Sequence, residues 1–111
     1  MATSEAAKAA GGFCYLDAAV TGLTGLAALV VGPRVTGVTK IIGAGALVWV
    51  GSSPTPHRVR VAAGLSAGLA ALDLVNAFRP QVSGRRRAVR FAGAAYHVVF
   101  AIMFNEGARD V

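Results

Sequence analysis

Apolar residues fill four long stretches of the chain, near 13–32, 37–53, 59–78 and 88–105, with no sustained polar alternation inside them. Each is about long enough to cross a hydrocarbon layer of roughly 30 Å, the second and fourth being short. In most of these stretches the apolar residues lie on every face of a helix. Such a helix belongs in a large core or in lipid, and a chain of 111 residues has no large core to offer. Prolines punctuate the pattern: Pro33 ends the first stretch, Pro54 and Pro56 break the chain after the second, and Pro80 follows the third. Connections this short set neighbouring helices antiparallel, and lipid requires each backbone polar group to be satisfied within its own segment. The pattern therefore predicts an all-α, transmembrane up-down four-helix bundle over residues 13–105. Residues 1–12 read as a small, Ala-rich polar N-terminal tail and 106–111 as a C-terminal tail.

Polar residues interrupt this pattern at helical spacing. In the first helix Cys14, Asp17, Thr21 and Thr24 share one face; in the third, Ser66, Asp73 and Asn76; in the fourth, Arg90, Gly93 and His97. An Asp at the centre of a membrane helix costs roughly 2.5–3.5 kcal/mol on the insertion scale, so it turns inward and finds a partner or a task. Agreement among three helices predicts a shared polar interior. Asp17 comes early in the first helix and Asp73 late in the third, which separates them by roughly 15 Å in depth and argues against a carboxylate dyad. His97 is expected between them, near the midplane. Asp73 is expected level with Lys40 and Arg90, which are the ion-pair candidates for it. Tyr15, Asn105 and Glu106 share the end where Asp17 sits.

Charge adds a location. The chain is 55% hydrophobic and only 14% charged, with a net charge of +6; its mean hydropathy is +0.59 and its pI about 10.8. The basic residues gather at the ends of apolar runs, as in Arg58 and Arg60, and Arg85, Arg86, Arg87 and Arg90, with no aromatic residues interleaved to stack on bases. They fit contact with anionic lipid head groups and topology signalling; no nucleic-acid partner is expected. Arg34, Lys40, Arg79 and the arginine cluster lie around the first and third loops, against Lys8, Arg58, Arg60 and Arg109 on the other side. That excess places the first and third loops in the cytoplasm. The first apolar run reads as a retained span, without the basic start and cleavage site of a signal peptide. Gly64 and Gly68 form a GxxxG, and Gly43 and Gly45 flank Ala44, both suited to close helix contact within one chain or in a homo-oligomer. The run Gly25-Leu26-Ala27-Ala28-Leu29 recurs as Gly68-Leu69-Ala70-Ala71-Leu72, a hint of a duplicated helix pair.

Candidate chemistry is confined to the polar stripes. Cys14 is the single cysteine, so no intrachain disulfide forms, and His57 and His97 are too far apart in the sequence for a recognisable metal site. No phosphate loop, nucleophile elbow or dinucleotide fingerprint occurs, and neither metal nor cofactor is expected. Asp17, Asp73 and His97 are the candidate catalytic groups: a desolvated carboxyl can donate a proton and a neutral imidazole accept one. Tyr15, Thr21, Trp49, Ser66, Asn76 and Tyr96 are candidates for contacting a substrate. Each has a purely structural counterpart: Asp73 as an ion-paired packing lock, Asp17 as a hydrated interfacial residue, His97 as a hydrogen-bonded core histidine, and the three aromatics as packing or interface residues.

In size and four-span layout the chain resembles the small four-helix membrane proteins that include the DoxX-like families. It also resembles the small multidrug resistance transporters, whose acidic residue in the first helix exchanges protons for cationic drugs; Asp17 is the candidate for that role. The chain departs from those transporters in the ionisable residues of its third and fourth helices and in the sequence around Tyr15–Gly25. Three functions compete: a membrane enzyme or binding protein for a lipophilic molecule, performing isomerisation, cyclisation or epoxide opening; a proton-coupled transporter; and an accessory subunit.

Overall fold

A computed structural model describes residues 5–79 and 83–108. It contains four helices, α1 (Glu5–Val31), α2 (Arg34–Ser52), α3 (Pro56–Ala77) and α4 (Gly84–Gly107), and no strand among the described residues. All four are long and apolar enough to cross a membrane, as a multi-pass membrane protein requires. The molecule extends 48 Å along its long axis, against about 40–45 Å for a bilayer with its head-group regions. Large apolar side chains such as Leu23, Leu26, Val30, Ile42, Val75 and Ile102 are exposed around the outside, where lipid can cover them.

Local signals set the helix ends. The Thr55 hydroxyl accepts from the Arg58 amide and Pro56 occupies the first turn of α3; the Ser83 hydroxyl accepts from the Arg86 amide at the start of α4. Pro33 precedes α2 with extended backbone and no side-chain cap. Pro80, expected as the stop after α3, and Arg109 lie outside the described residues. Helices α2, α3 and α4 begin three or four residues before their expected apolar runs, and α4 takes in Glu106 and Gly107 of the expected C-terminal tail; the largest difference is at the N-terminus. Helix α1 takes in residues 5–12 of the segment expected as a polar tail. The reason is packing: Ala7 and Ala10 are buried in the core, and a Cβ at Gly11 would fall 2.7 Å from the Pro54 ring, so the small residues form a docking face against the α2–α3 connection.

The bundle is a pair of hairpins. Helix α1 packs most extensively on α2, and α3 on α4, with fewer contacts between the pairs. Glycine lets α1 and α2 close together: a Cβ on Gly37 would come within 2.8 Å of the Gly25 carbonyl oxygen and 2.9 Å of the Leu29 backbone. The Gly64–Gly68 pair does no such work within the chain, since a Cβ at either position would meet nothing within 4 Å. The repeated Gly-Leu-Ala-Ala-Leu runs thus differ in role, Gly25 lying against α2 and Gly68 facing open space. The apolar core gathers at the end of the bundle nearest the α2–α3 connection, with Cys14, Leu47, Val50, Val59, Phe100 and Phe104 inside it. Polar groups dominate the seam towards the opposite end.

Candidate functional site

Three side-chain hydrogen bonds join the two hairpins: Lys40 Nζ donates to Asp73 Oδ2 at 3.4 Å, Ser66 Oγ to Asp17 Oδ2 at 3.4 Å, and Asn76 Nδ2 to Thr36 Oγ1 at 2.8 Å. Asp17, Thr21, Ser66, Asp73, Asn76 and His97 are all buried, so most of each stripe of α1, α3 and α4 faces one interior; Thr24 is exposed and Arg90 half-buried, both lining the pocket described below. The α2 contribution was half visible in the sequence. Lys40 was a candidate; Thr36, buried and bonded to Asn76, was missed. Its signal is the run Thr36, Lys40, Gly43, Leu47, Val50, all buried and at helical spacing on one face.

Asp73 is the centre of the charged part. Its Oδ1 lies 3.3 Å from Lys40 Nζ and its Oδ2 3.6 Å from His97 Nε2. Arg90, the other ion-pair candidate, forms no salt bridge with it; Lys40 is buried on the inner face of α2, whereas Arg90 is half-buried at the rim of the pocket described below. Gly93 is what admits the carboxylate against α4, because a Cβ there would fall 2.7 Å from Asp73 Oδ2.

Asp17 sits about two helical turns away along α3, level with Ser66, which is about 10 Å at 1.5 Å per residue. Its other hydrogen bond comes from Thr21 Oγ1 at 3.0 Å. The Tyr96 hydroxyl is within electrostatic reach of this carboxylate but makes no hydrogen bond of good geometry. His97 contacts Asp73 and is within electrostatic reach of Asp17. Its Nδ1, the Tyr96 hydroxyl and Asn76 Oδ1 are buried without a hydrogen-bond partner of good geometry.

A pocket of about 390 Å³ opens beside Asp73 between α1 and α4, within the range of small-molecule sites. Thr36, Lys40, Asp73 and Gly93 form its polar floor; Ala27, Ala28, Val31 and Val89 its apolar walls; Arg85, Arg86 and Arg90 its rim. Asp17 and His97 do not line it, so the three candidate catalytic groups do not share one cavity. The sequence marks Arg85 and Arg86 as contacts for anionic lipid head groups and as topology signals, with no sign of a pocket beside them.

None of the six expected substrate contacts lines this pocket: Thr21, Ser66 and Asn76 are taken up by the hydrogen bonds of the seam, and the three aromatics lie elsewhere. Tyr15 is 48% exposed, with its ring lying over Gly51 of α2. Trp49 is 47% exposed and carries the Arg58 guanidinium 4.3 Å above its ring. Both lie on the outer surface, as aromatic residues near a membrane interface do. Tyr96 is half-buried and packs on His97 and Phe100. Among the described residues no group of His, Cys, Asp and Glu gathers in a way that could hold a metal ion. No protein-family model, curated protein or solved structure matches the chain.

Proposed function

We propose that the protein binds a lipophilic molecule in the pocket between α1 and α4 and acts on it by acid–base chemistry at Asp73. The observation that carries this is the placement of one carboxylate on the floor of an apolar-walled pocket, with a lysine and a histidine on its two oxygens. In this reading Asp73 takes a proton from the bound molecule and returns it at another position. Lys40 holds the ionised form in place. His97, behind Asp73 and away from the ligand, offers a second site for the proton at 3.6 Å and positions the carboxylate. Isomerisation, cyclisation and epoxide opening all fit such a group. Asp17, enclosed by Thr21 and Ser66, serves the joint between the hairpins. The basic end of the bundle, with the first and third loops, faces the cytoplasm.

Solvent isotope is the direct test. Purified protein is incubated in D2O with a total lipid extract, and the lipids are read by mass spectrometry. Deuterium, or the elements of water, should enter one lipid class, and the label should vanish with Asp73→Asn and fall with His97→Gln. No incorporation that depends on Asp73 would remove the acid–base reading.

A second reading, a proton-coupled transporter, draws on a different observation: the polar groups form a column from Thr36 and Asn76 through Lys40, Asp73 and His97 to Asp17, Thr21 and Ser66. Substrate-driven proton flux in proteoliposomes, without chemical change of the substrate, would favour it over the first.

A further inference from the structure

We infer that the pocket between α1 and α4 is built for a lipid phosphate, an amphiphile whose phosphomonoester or diphosphate head lies on Arg85, Arg86 and Arg90 and whose hydrocarbon chain runs along the α1–α4 walls. This names the ligand class of the pocket described above and rests on that reading of it.

The charge balance is the first argument. The end of the bundle where the pocket opens carries Arg34, Lys40, Arg79, Arg85, Arg86, Arg87 and Arg90, and Asp73 is the one carboxylate described there. Lys40 already neutralises Asp73. Arg87 is engaged too, donating from Nε to the Ala77 carbonyl at 2.8 Å and from Nη2 to the Arg79 carbonyl at 3.4 Å. The guanidinium groups of Arg85, Arg86 and Arg90 have no hydrogen-bond or ion-pair partner among the described residues, yet they line one pocket. Arg85 and Arg86 are exposed and Arg90 half-buried, and three cations around one opening make it attractive to an anion.

The head group follows from that excess. A carboxylate supplies a single negative charge; a phosphomonoester supplies about 1.5–2 and three acceptor oxygens. The guanidinium fork matches phosphate oxygens in pairs. The walls decide between a lipid and a soluble anion. Ala27, Ala28, Val31 and Val89 offer such an anion nothing, while they suit a hydrocarbon chain entering sideways between the helices. The arginines then sit near the membrane surface, where the phosphate of such a lipid lies.

General attraction of an anionic surface acts on every arginine alike, so the test separates a site from a surface. Native mass spectrometry of the full chain in detergent uses three probes: phosphatidate, diacylglycerol with the same acyl chains, and inorganic phosphate. One phosphatidate should be retained, favoured over diacylglycerol by roughly tenfold or more, and inorganic phosphate should not displace it. The combined Arg85→Gln, Arg86→Gln and Arg90→Gln variant should lose the preference, while Arg34→Gln with Arg79→Gln keeps it. Ala28→Trp, or Val89→Trp on the facing helix, fills the wall without changing charge and should expel the lipid.

An unchanged preference in the triple variant overturns the inference. So does an equal loss from the Arg34 and Arg79 pair, which would mean bulk surface charge, or full displacement by inorganic phosphate, which would mean a free-anion site. Equal retention of phosphatidate and diacylglycerol, with both expelled by the Trp variants, sinks the phosphate assignment and leaves the lipophile pocket standing. Trp variants that change nothing for either lipid sink both.

Discussion

Asp17 and Asp73 are the same residue, equally buried, on opposite sides of one seam, yet their surroundings share almost nothing. Asp17 is met by the neutral hydroxyls of Thr21 and Ser66, and among the described residues it forms no salt bridge. Asp73 is met by Lys40 and His97 and opens onto a pocket rimmed with arginine. The first arrangement is a joint: removing a charge there leaves hydroxyls that can reorient, since each both donates and accepts. The second is a balance of charges, and taking away one side strands the other in a low dielectric. Burial alone therefore says little about what a membrane carboxylate does; the partner decides.

The largest effect should come from unbalancing the charged side. Asp73→Asn leaves Lys40 buried without a counter-charge and should cost about 3–5 kcal/mol, read by unfolding in mixed micelles. Adding Lys40→Met should recover much of that loss while abolishing the proposed chemistry, because the buried charge goes together with its partner. If Asp73→Asn costs no more than Asp17→Asn, the contrast between the two carboxylates is wrong.

Gly93→Ala probes the same side without touching charge. The new Cβ would fall 2.7 Å from Asp73 Oδ2, so the carboxylate must move, at about 1–3 kcal/mol. Placing Ala at Gly12, which has nothing within 4 Å, supplies the control. Asp17→Asn should be milder, about 1 kcal/mol. The amide can donate to Ser66 Oγ while its oxygen still accepts from Thr21, and combining it with Ser66→Ala should give less than the sum of the two losses. The smallest effect belongs to Gly64→Ala and Gly68→Ala. With open space at both positions, stability should stay level or rise by about 0.5–1 kcal/mol. A fall, accompanied by a shift in oligomeric state, would show that this face is covered by a second copy.

The comparison also explains what the sequence could disclose. Four spans, their antiparallel order and the inward stripes of α1, α3 and α4 follow from composition and spacing, which act locally. The choice between Lys40 and Arg90 as partner of Asp73 does not. Both lie at the right depth, and only the rotation of α2 against α3 and of α4 against α1 selects the lysine. The outward placement of Tyr15 and Trp49 was not legible for a related reason: an aromatic ring is equally at home in a cavity or at a lipid interface, and its own position carries no sign of which. The extension of α1 down to Glu5 was hidden because Ala7, Ala10 and Gly11 dock through small size rather than through hydropathy. The pocket rim was hidden because a run of arginines after a loop reads as a topology signal whether or not a cavity lies beside it.

The hydrogen bonds between the hairpins also bear on how the chain is made. Synthesis delivers α1 and α2 first, joined by a short turn and close-packed through Gly25 and Gly37. At that moment Asp17 has only Thr21, and Thr36 and Lys40 lack the partners they hold in the finished bundle, which emerge later with α3. The nascent first half thus carries its own mark of incompleteness, a strip of unmet polar groups in the bilayer that a membrane chaperone or protease could recognise. Arrival of the second half erases it. Two halves produced as separate polypeptides, cut within 53–55, should accordingly find each other in the membrane, and the first half alone should be degraded quickly unless Lys40 is replaced by Met.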